Sequence, residues 1–481
     1  MKTRVVNAAN GAESIPQPHW LPSVKNPLIL YELNEVPWRV VDWYIERRPS
    51  CSLSRILASA TTFTTLTRDD GELHPWCTWP SLHRGVYNTT HNIRFINQDK
   101  RCAAQYPPVW ETAAVAGRKV GVFGSLQSYP IPSYPQYAFY VPDTFSPSSE
   151  THPSRYTAFQ RFNLRQTRAD SAVARAVSLD GSVLSDLVAM VRIGVKPRTM
   201  GALAGQLIRE KLSSLHRVRR PLLQPVLSFD VFMDALTRYR PEFCTFFTNH
   251  VASTMHRYWK HAFPEDFQFT ISSRRDAFLA QNLLTAMDIA DEQLEILRRY
   301  VDQEEGQLVI ASSMGQEAID RGEYAGELRL VDVRALAELI GFHKALKNLL
   351  AMQPDFNFEF DCVQDCLEFE SKAKGLVDAA GASIWYNCTA IGNTLNLALR
   401  SAPDILRNEM LYRVCDDGSQ EAVTLKRAGM ERIVRDDGTA YHQPRGIFIW
   451  HDPRMPQGGV RQDMELTDVR RLLLHALGIE A

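Results

Sequence analysis

Tyr441-His442-Gln443-Pro444-Arg445-Gly446-Ile447-Phe448-Ile449-Trp450 places a histidine just ahead of a short apolar, β-rich run. The run has the length and composition of a core strand, which sets His442 at its mouth. Roughly 360 residues upstream, Trp76-Cys77-Thr78-Trp79-Pro80-Ser81-Leu82-His83-Arg84-Gly85 puts a threonine hydroxyl near the start of a helix. There it can cap the helix, or join free backbone N–H groups in holding an anion. The residues leave both readings open.

Working outward, Pro27-Leu28-Ile29-Leu30-Tyr31-Glu32-Leu33, Lys119 to Gly124, Glu242 to Thr248 and Gln307 to Ser312 are further strand-like runs. Between them Val36 to Arg47, Trp110 to Ala116 and Ser273 to Tyr300 read as helices. In the last, Phe278, Leu279, Leu283, Leu284, Met287, Leu294 and Leu297 form its buried side. Strands alternating with helices predict a largely parallel sheet covered on both faces. Residues 330–430 read as an α+β block, because Phe356 to Phe360 and Thr394 to Leu399 alternate with the period of a half-buried strand. Residues 151–225 hold 13 basic residues against four acidic ones, a net of +9. Val183, Leu184, Leu187, Val188 and Val191 recur there at helical spacing. This predicts a basic helical insertion, either solvated or a docking surface for an anionic substrate or a membrane surface.

Composition narrows the class. The 481 residues carry 54 basic and 55 acidic side chains and are 45% hydrophobic, the balance of an ordinary soluble globular protein. Nothing in it calls for nucleic acid. Residues 1–25 read as a loose polar tail without the apolar run of a signal peptide, and no stretch reaches the roughly 18 apolar residues of a membrane span. A cytoplasmic protein with reduced thiols is expected. The eight cysteines lack zinc-ribbon spacing, and Cys362 and Cys366 have no second pair to complete a metal site.

In order and spacing these segments resemble the alkaline phosphatase superfamily, most closely its type I phosphodiesterase/nucleotide pyrophosphatase branch, over about 25–135, 240–320 and 435–480. The resemblance implies an α/β fold over 26–481. This is an alkaline-phosphatase-like three-layer sandwich with a mostly parallel central sheet, the helical insertion and the small α+β subdomain. It also implies phosphoryl chemistry at a metal centre. Thr78-Trp79-Pro80 matches the family's nucleophile motif, which makes Thr78 the catalytic candidate. His442 matches the last metal ligand, and His256, in Met255-His256-Arg257-Tyr258-Trp259, matches the mid-chain one; a hydrogen-bonded core histidine is the alternative at each.

The departures from that pattern are specific. Asn34-Glu35 stands where the family has Asp-Gly, Asn249 where it has Asp, and Ser313-Met314 where it has Asp-His. Neutral oxygens and a thioether are poor zinc ligands. The expectation is therefore a divalent metal, zinc or manganese, outside the standard two-zinc cluster. Glu32, Glu35 and His250 are the residues near enough in sequence to complete it. Glu32, two before Asn34 and so on the same strand face, is chosen as the third ligand with His256 and His442. Asn34, Asn249 and His250 are assigned to substrate binding. His74, His83 and His91 surround Thr78 and could line the cleft. Cys51-Ser52-Leu53-Ser54-Arg55 imitates a sulfatase signature but lacks its proline and precedes the nucleophile region.

Two functions follow. One is a divergent phosphohydrolase or phosphotransferase acting on a phosphodiester or phosphomonoester, with a phosphorylated small molecule or glycan as partner. The other is a catalytically inactive relative that binds a phosphorylated or sulfated ligand, or a protein.

Overall fold

Eight short runs rich in β-branched and aromatic residues pair into the central sheet. They are β1 (Leu28–Leu33), β2 (Thr61–Leu66), β3 (Val120–Phe123), β4 (Tyr137–Val141), β5 (Phe243–Thr248), β6 (Gln307–Ala311), β7 (Arg445–His451) and β8 (Gln462–Glu465). Their order across the sheet is β8-β2-β7-β6-β1-β5-β3-β4. Only β7 runs against the rest; it is antiparallel to both β2 and β6, whereas β1 is parallel to β5 and β6. The computed structural model describes residues 26–96, 98–171, 190–319, 327–349, 351, 355–400, 403–415, 417–433, 439–454 and 461–480.

All six residues of β1 are buried, as expected of a strand covered on both faces. Ile29, Tyr31 and Leu33 pack with α1 (Trp38–Arg47), α4 (Leu223–Tyr239), α5 (His250–Ala262) and α6 (Arg274–Gln303). Leu28 and Leu30 meet Trp79 and Leu82 of α2 (Pro75–Arg84), Trp110 of α3 (Val109–Val115) and Leu473 of α7 (Asp468–Ala476). Each such aliphatic or aromatic side chain contributes about 1.5–3 kcal/mol on burial. The result is the expected α/β fold of three layers on a mostly parallel sheet. The long α6 starts at a capping box, in which Ser273 and Asp276 satisfy each other's backbone N–H groups.

A third core runs from Leu328 to Met430. Its sheet orders Trp385–Ile391, Thr394–Leu399, Asp355–Phe360 and Leu346–Leu349 antiparallel, and Phe369 of the helix Val363–Ala373 packs in this core. Asn357 Nδ2 donates to Ile96 O at 3.3 Å, which ties this block to the α2 side of the molecule. In the basic insertion, Thr157–Ser171 and Pro197–Leu212 are helical. Val191, one of the apolar residues at helical spacing, is 53% exposed. Val183, Leu184, Leu187, Val188 and the 1–25 tail lie outside the described residues. Among the described residues no helix is long and apolar enough to cross a membrane.

Candidate active site

The parallel strands end on one edge, and the chemistry-bearing residues gather there. Asn34 and Glu35 follow β1, Asn249 follows β5, and Ser313 and Met314 follow β6. Because β7 is antiparallel, its start lies at the same edge, and His442 comes just before it. The connection from β5 leads to β6 on the other side of β1, and ligands of open α/β sheets bind in a crevice of this kind outside the strands' carboxyl ends.

Glu35 is the centre of the site. Its backbone turns into the left-handed region at φ +59°, which breaks the strand's alternation and brings the carboxylate to His256 and His442. Glu35 Oε2 stands 2.9 Å from His256 Nε2 and 3.3 Å from His442 Nε2. It also accepts a short hydrogen bond from Gln316 Nε2. One ligand atom from each of Glu35, His256 and His442 lies within 4.8 Å of the others. A non-glycine residue held at positive φ costs about 1–3 kcal/mol, so the cluster is held against a local backbone preference.

Two elements fix the histidines. His256 lies on α5, and its Nδ1–H donates to Ala440 O at 2.9 Å. His442 lies on the strand Ala440–Gln443, which pairs antiparallel with Gly315–Ala318, so that His442 faces Gln316 in register. With Nδ1 of His256 committed to a carbonyl, Nε2 is the atom left to face Glu35. Burial works against charge on Glu35, but the adjoining His442 and His256 imidazoles outweigh it and hold its carboxyl well below the usual range. Burial likewise opposes charge on His256, and the Glu35 carboxylate overcomes it and raises the imidazole above its ordinary value.

The donor set suits a divalent cation. One carboxylate oxygen and two imidazole nitrogens form a three-ligand set of the kind that leaves a coordination position open. The Ala440 carbonyl behind His256 fixes the tautomer whose Nε2 faces the cluster. His256, 31% exposed, opens the cluster to solvent.

Around it the neutral substitutions are tied to one another. Asn34 Nδ2 donates to Glu35 Oε1 and to Asn249 Oδ1, both at 2.7 Å. Asn34 Oδ1 accepts from Trp79 Nε1 at 2.7 Å. Asn34 is thus saturated, while the exposed Asn249 keeps its own amide N–H groups for a ligand. Thr78 is fully buried, and its hydroxyl lies 2.7 Å from Ser313 Oγ.

Glu32 is placed elsewhere. It shares a face of β1 with Leu28 and Leu30 and lies beneath α2, where its Oε1 is 2.6 Å from His83 Nε2. The alternation that chose it holds only to Leu33; the turn at Glu35 brings that carboxylate to the histidines instead. His250 is also committed internally, with Nδ1 2.7 Å from Thr248 Oγ1 and Nε2 2.9 Å from Ala286 O. Burial pushes it down to about 4. His91 is held between Ile93 N–H and Ser81 Oγ. Cys51 caps the short helix Ser52–Leu57. Cys362 is exposed and Cys366 buried, and all eight cysteines are free. Gln316 and Ala440, missed from sequence, lie on two paired strands, far apart in the chain and each too short to register in the apolar pattern.

No protein-family model matches the chain, and no curated protein sequence does. Solved structures resemble it at low identity. Murine ectonucleotide pyrophosphatase/phosphodiesterase 5 is 12% identical, with 95% of this chain and 96% of that chain covered and a TM-score of 0.42. Phosphonoacetate hydrolase from Sinorhizobium meliloti, in complex with phosphonoformate, is 13% identical over 96% and 97%, with a TM-score of 0.43. Thermus thermophilus alkaline phosphatase is 14% identical over 96% and 93%, with a TM-score of 0.41.

Proposed function

We propose that the protein is a phosphohydrolase acting on a phosphodiester or phosphomonoester, with one divalent cation, zinc or manganese, held by Glu35, His256 and His442. The observation that carries this reading is that cluster of three ligand atoms at the carboxyl edge of the sheet. A cation there would supply the positive charge that phosphoryl transfer requires.

The chain's own residues do the rest. Asn249, whose Oδ1 is taken by Asn34, presents its Nδ2 to a phosphoryl oxygen as a neutral donor. Asn34 acts as a positioning residue for Asn249 and Glu35. Gln316 orients the Glu35 carboxylate. Because the Thr78 hydroxyl is buried against Ser313, water rather than Thr78 is the attacking group, and Thr78 supports the site from beneath. The test is hydrolysis of an aryl phosphodiester and an aryl phosphomonoester after chelation and after returning zinc or manganese. Turnover that depends on the cation and is lost in E35Q is expected; turnover unchanged in E35Q would overturn the assignment.

A second reading is favoured by one observation: Asn34 is satisfied by Glu35, Asn249 and Trp79, and Thr78 is paired with Ser313, without any ligand. On that reading the edge binds a phosphorylated or sulfated ligand, or a protein, without turning it over. Saturable ligand binding with no hydrolysis at any cation concentration would select it.

A further inference from the structure

The helix Pro197–Leu212 of the basic insertion is turned inside out. A surface helix buries its apolar stripe and shows water its polar side, yet the residues buried here are Thr199, Gln206 and Glu210. Leu207, Ile208 and Leu212 are exposed instead, Ile208 to 60% and Leu212 to 82%. Met200 and Leu203, half-buried, touch the core at the edge of the contact. The polar inner side is tied down by its own bonds. Thr199 Oγ1 donates to Asp230 Oδ2, and Gln206 Nε2 donates to Glu210 Oε1 at 3.0 Å and to His216 O at 2.6 Å. Arg220 pairs with Glu210. These bonds fix which side of the helix faces out.

At about 100° per residue, Ile208 and Leu212 lie at the centre of the outer face, with Gly201 and Ala204 in line before them. Arg198 and Arg209 stand on one flank and Lys211 on the other, and all three are exposed. Residues 190–229 hold eight basic side chains and one acid, Glu210. Lys196 is paired with Asp230, and Arg219 lies over the Phe278 ring while donating to Asn282. Arg198, Arg209, Lys211 and Arg217 form no ion pair among the described residues. An apolar centre is therefore ringed by cations with no acid on the same face.

We propose that this face docks on a lipid bilayer of net negative charge, with Ile208 and Leu212 entering the headgroup region and the flanking cations on anionic headgroups. A second copy of the chain would bring like charges together on the same face. A nucleic acid would set Ile208 and Leu212 against phosphates. The face also lies at the end of the molecule that carries Glu35. α4 and α6 each lead into a parallel strand, β5 and β6, so their first turns stand toward the strands' carboxyl edge. The turn Ser214–Leu222 joins the docking helix to α4 there. Docking of this kind is independent of the cation at Glu35.

The experiment is co-sedimentation of the full-length protein with vesicles of phosphatidylcholine alone and of phosphatidylcholine mixed with phosphatidylglycerol. Binding is expected to the mixed vesicles only, and should weaken as salt screens the charges. R198Q/R209Q/K211Q should lose about fivefold in affinity for each cation removed. I208N/L212N should lose at least about tenfold with its thermal midpoint unchanged, since both side chains are exposed. L212W, which keeps the face apolar, should show a blue shift in emission on meeting the mixed vesicles that wild type lacks. No binding to the mixed vesicles, equal binding to both kinds, or binding unchanged in I208N/L212N would overturn the proposal. So would a preference for duplex DNA or for self-association over the mixed vesicles.

Discussion

Glu35, His256 and His442 show how one residue's backbone decides a site. Where the family pattern has a glycine after the first strand, this chain has a glutamate that keeps a glycine-like φ of +59°. The carboxylate that the resembled pattern has where this chain has Asn34 is thereby supplied one residue later. Both nitrogens of His256 face acceptors, Ala440 O and Glu35 Oε2, which favours the protonated ring. A cation must displace the Nε2 proton. Apparent affinity for zinc should therefore rise with pH through the raised His256 titration, above 6.5, and calorimetric titrations from pH 6 to 8 would reveal it. The linkage to stability has the opposite sense. The raised His256 contributes stability that is full below 6.5 and lost as pH climbs through its folded value, while Glu35, lowered, contributes above the usual carboxylate range and loses this in acid.

Glu32 and His83 form a different kind of pair, wholly buried between Trp79 and Trp110. Removing one partner of such a pair typically costs about 3–5 kcal/mol. H83L should lower stability by that order in denaturant titration and leave cation stoichiometry intact. A loss of bound cation without a loss of stability would return Glu32 to the site. His256 and His442 were legible only through the resemblance, which matches each to a metal-ligand position by the residues around it. It could not separate Glu32 from Glu35, since the choice depends on a φ angle after the strand's last residue.

At the scale of elements, the core strands were legible because burial on both faces writes continuous apolar runs. The run 27–33 becomes β1 at Leu28–Leu33, and 394–399 is a strand at Thr394–Leu399. The strand β8 and the antiparallel pair of Gly315–Ala318 with Ala440–Gln443 were not legible, being strands of four residues each and largely polar. Yet that strand pair holds His442 and Gln316. Its junction with β7 demands glycine: a Cβ on Gly446 would meet Ser312 O at 2.5 Å and Thr65 Oγ1 at 2.7 Å. Overpacking of this kind costs about 1–3 kcal/mol. G446A should lower the thermal midpoint and weaken cation binding together, since β7 carries His442 at its mouth. A variant as stable as wild type would contradict the close approach.

For the whole molecule, three cores meet around one edge: the two faces of the sheet and the block from Leu328 to Met430. That block delivers Asp355 to within 3.8 Å of His74, which precedes α2. A cation held by Glu35, His256 and His442 would tie the end of β1 to α5 and to the strand before β7, and should stabilise the fold. At a hundred times the dissociation constant the gain is about 2.7 kcal/mol, readable as a shift in denaturant midpoint that E35Q reduces.

The decisive measurement compares hydrolysis of an aryl phosphodiester by wild type, E35Q and T78A, each stripped of metal and then supplied with zinc or manganese. Cation-dependent turnover is expected in wild type and, within about tenfold, in T78A, with a loss of at least about a hundredfold in E35Q, the scale of removing a transition-state charge partner. Turnover abolished by T78A but preserved in E35Q would contradict a site centred on Glu35 and return the nucleophile to Thr78.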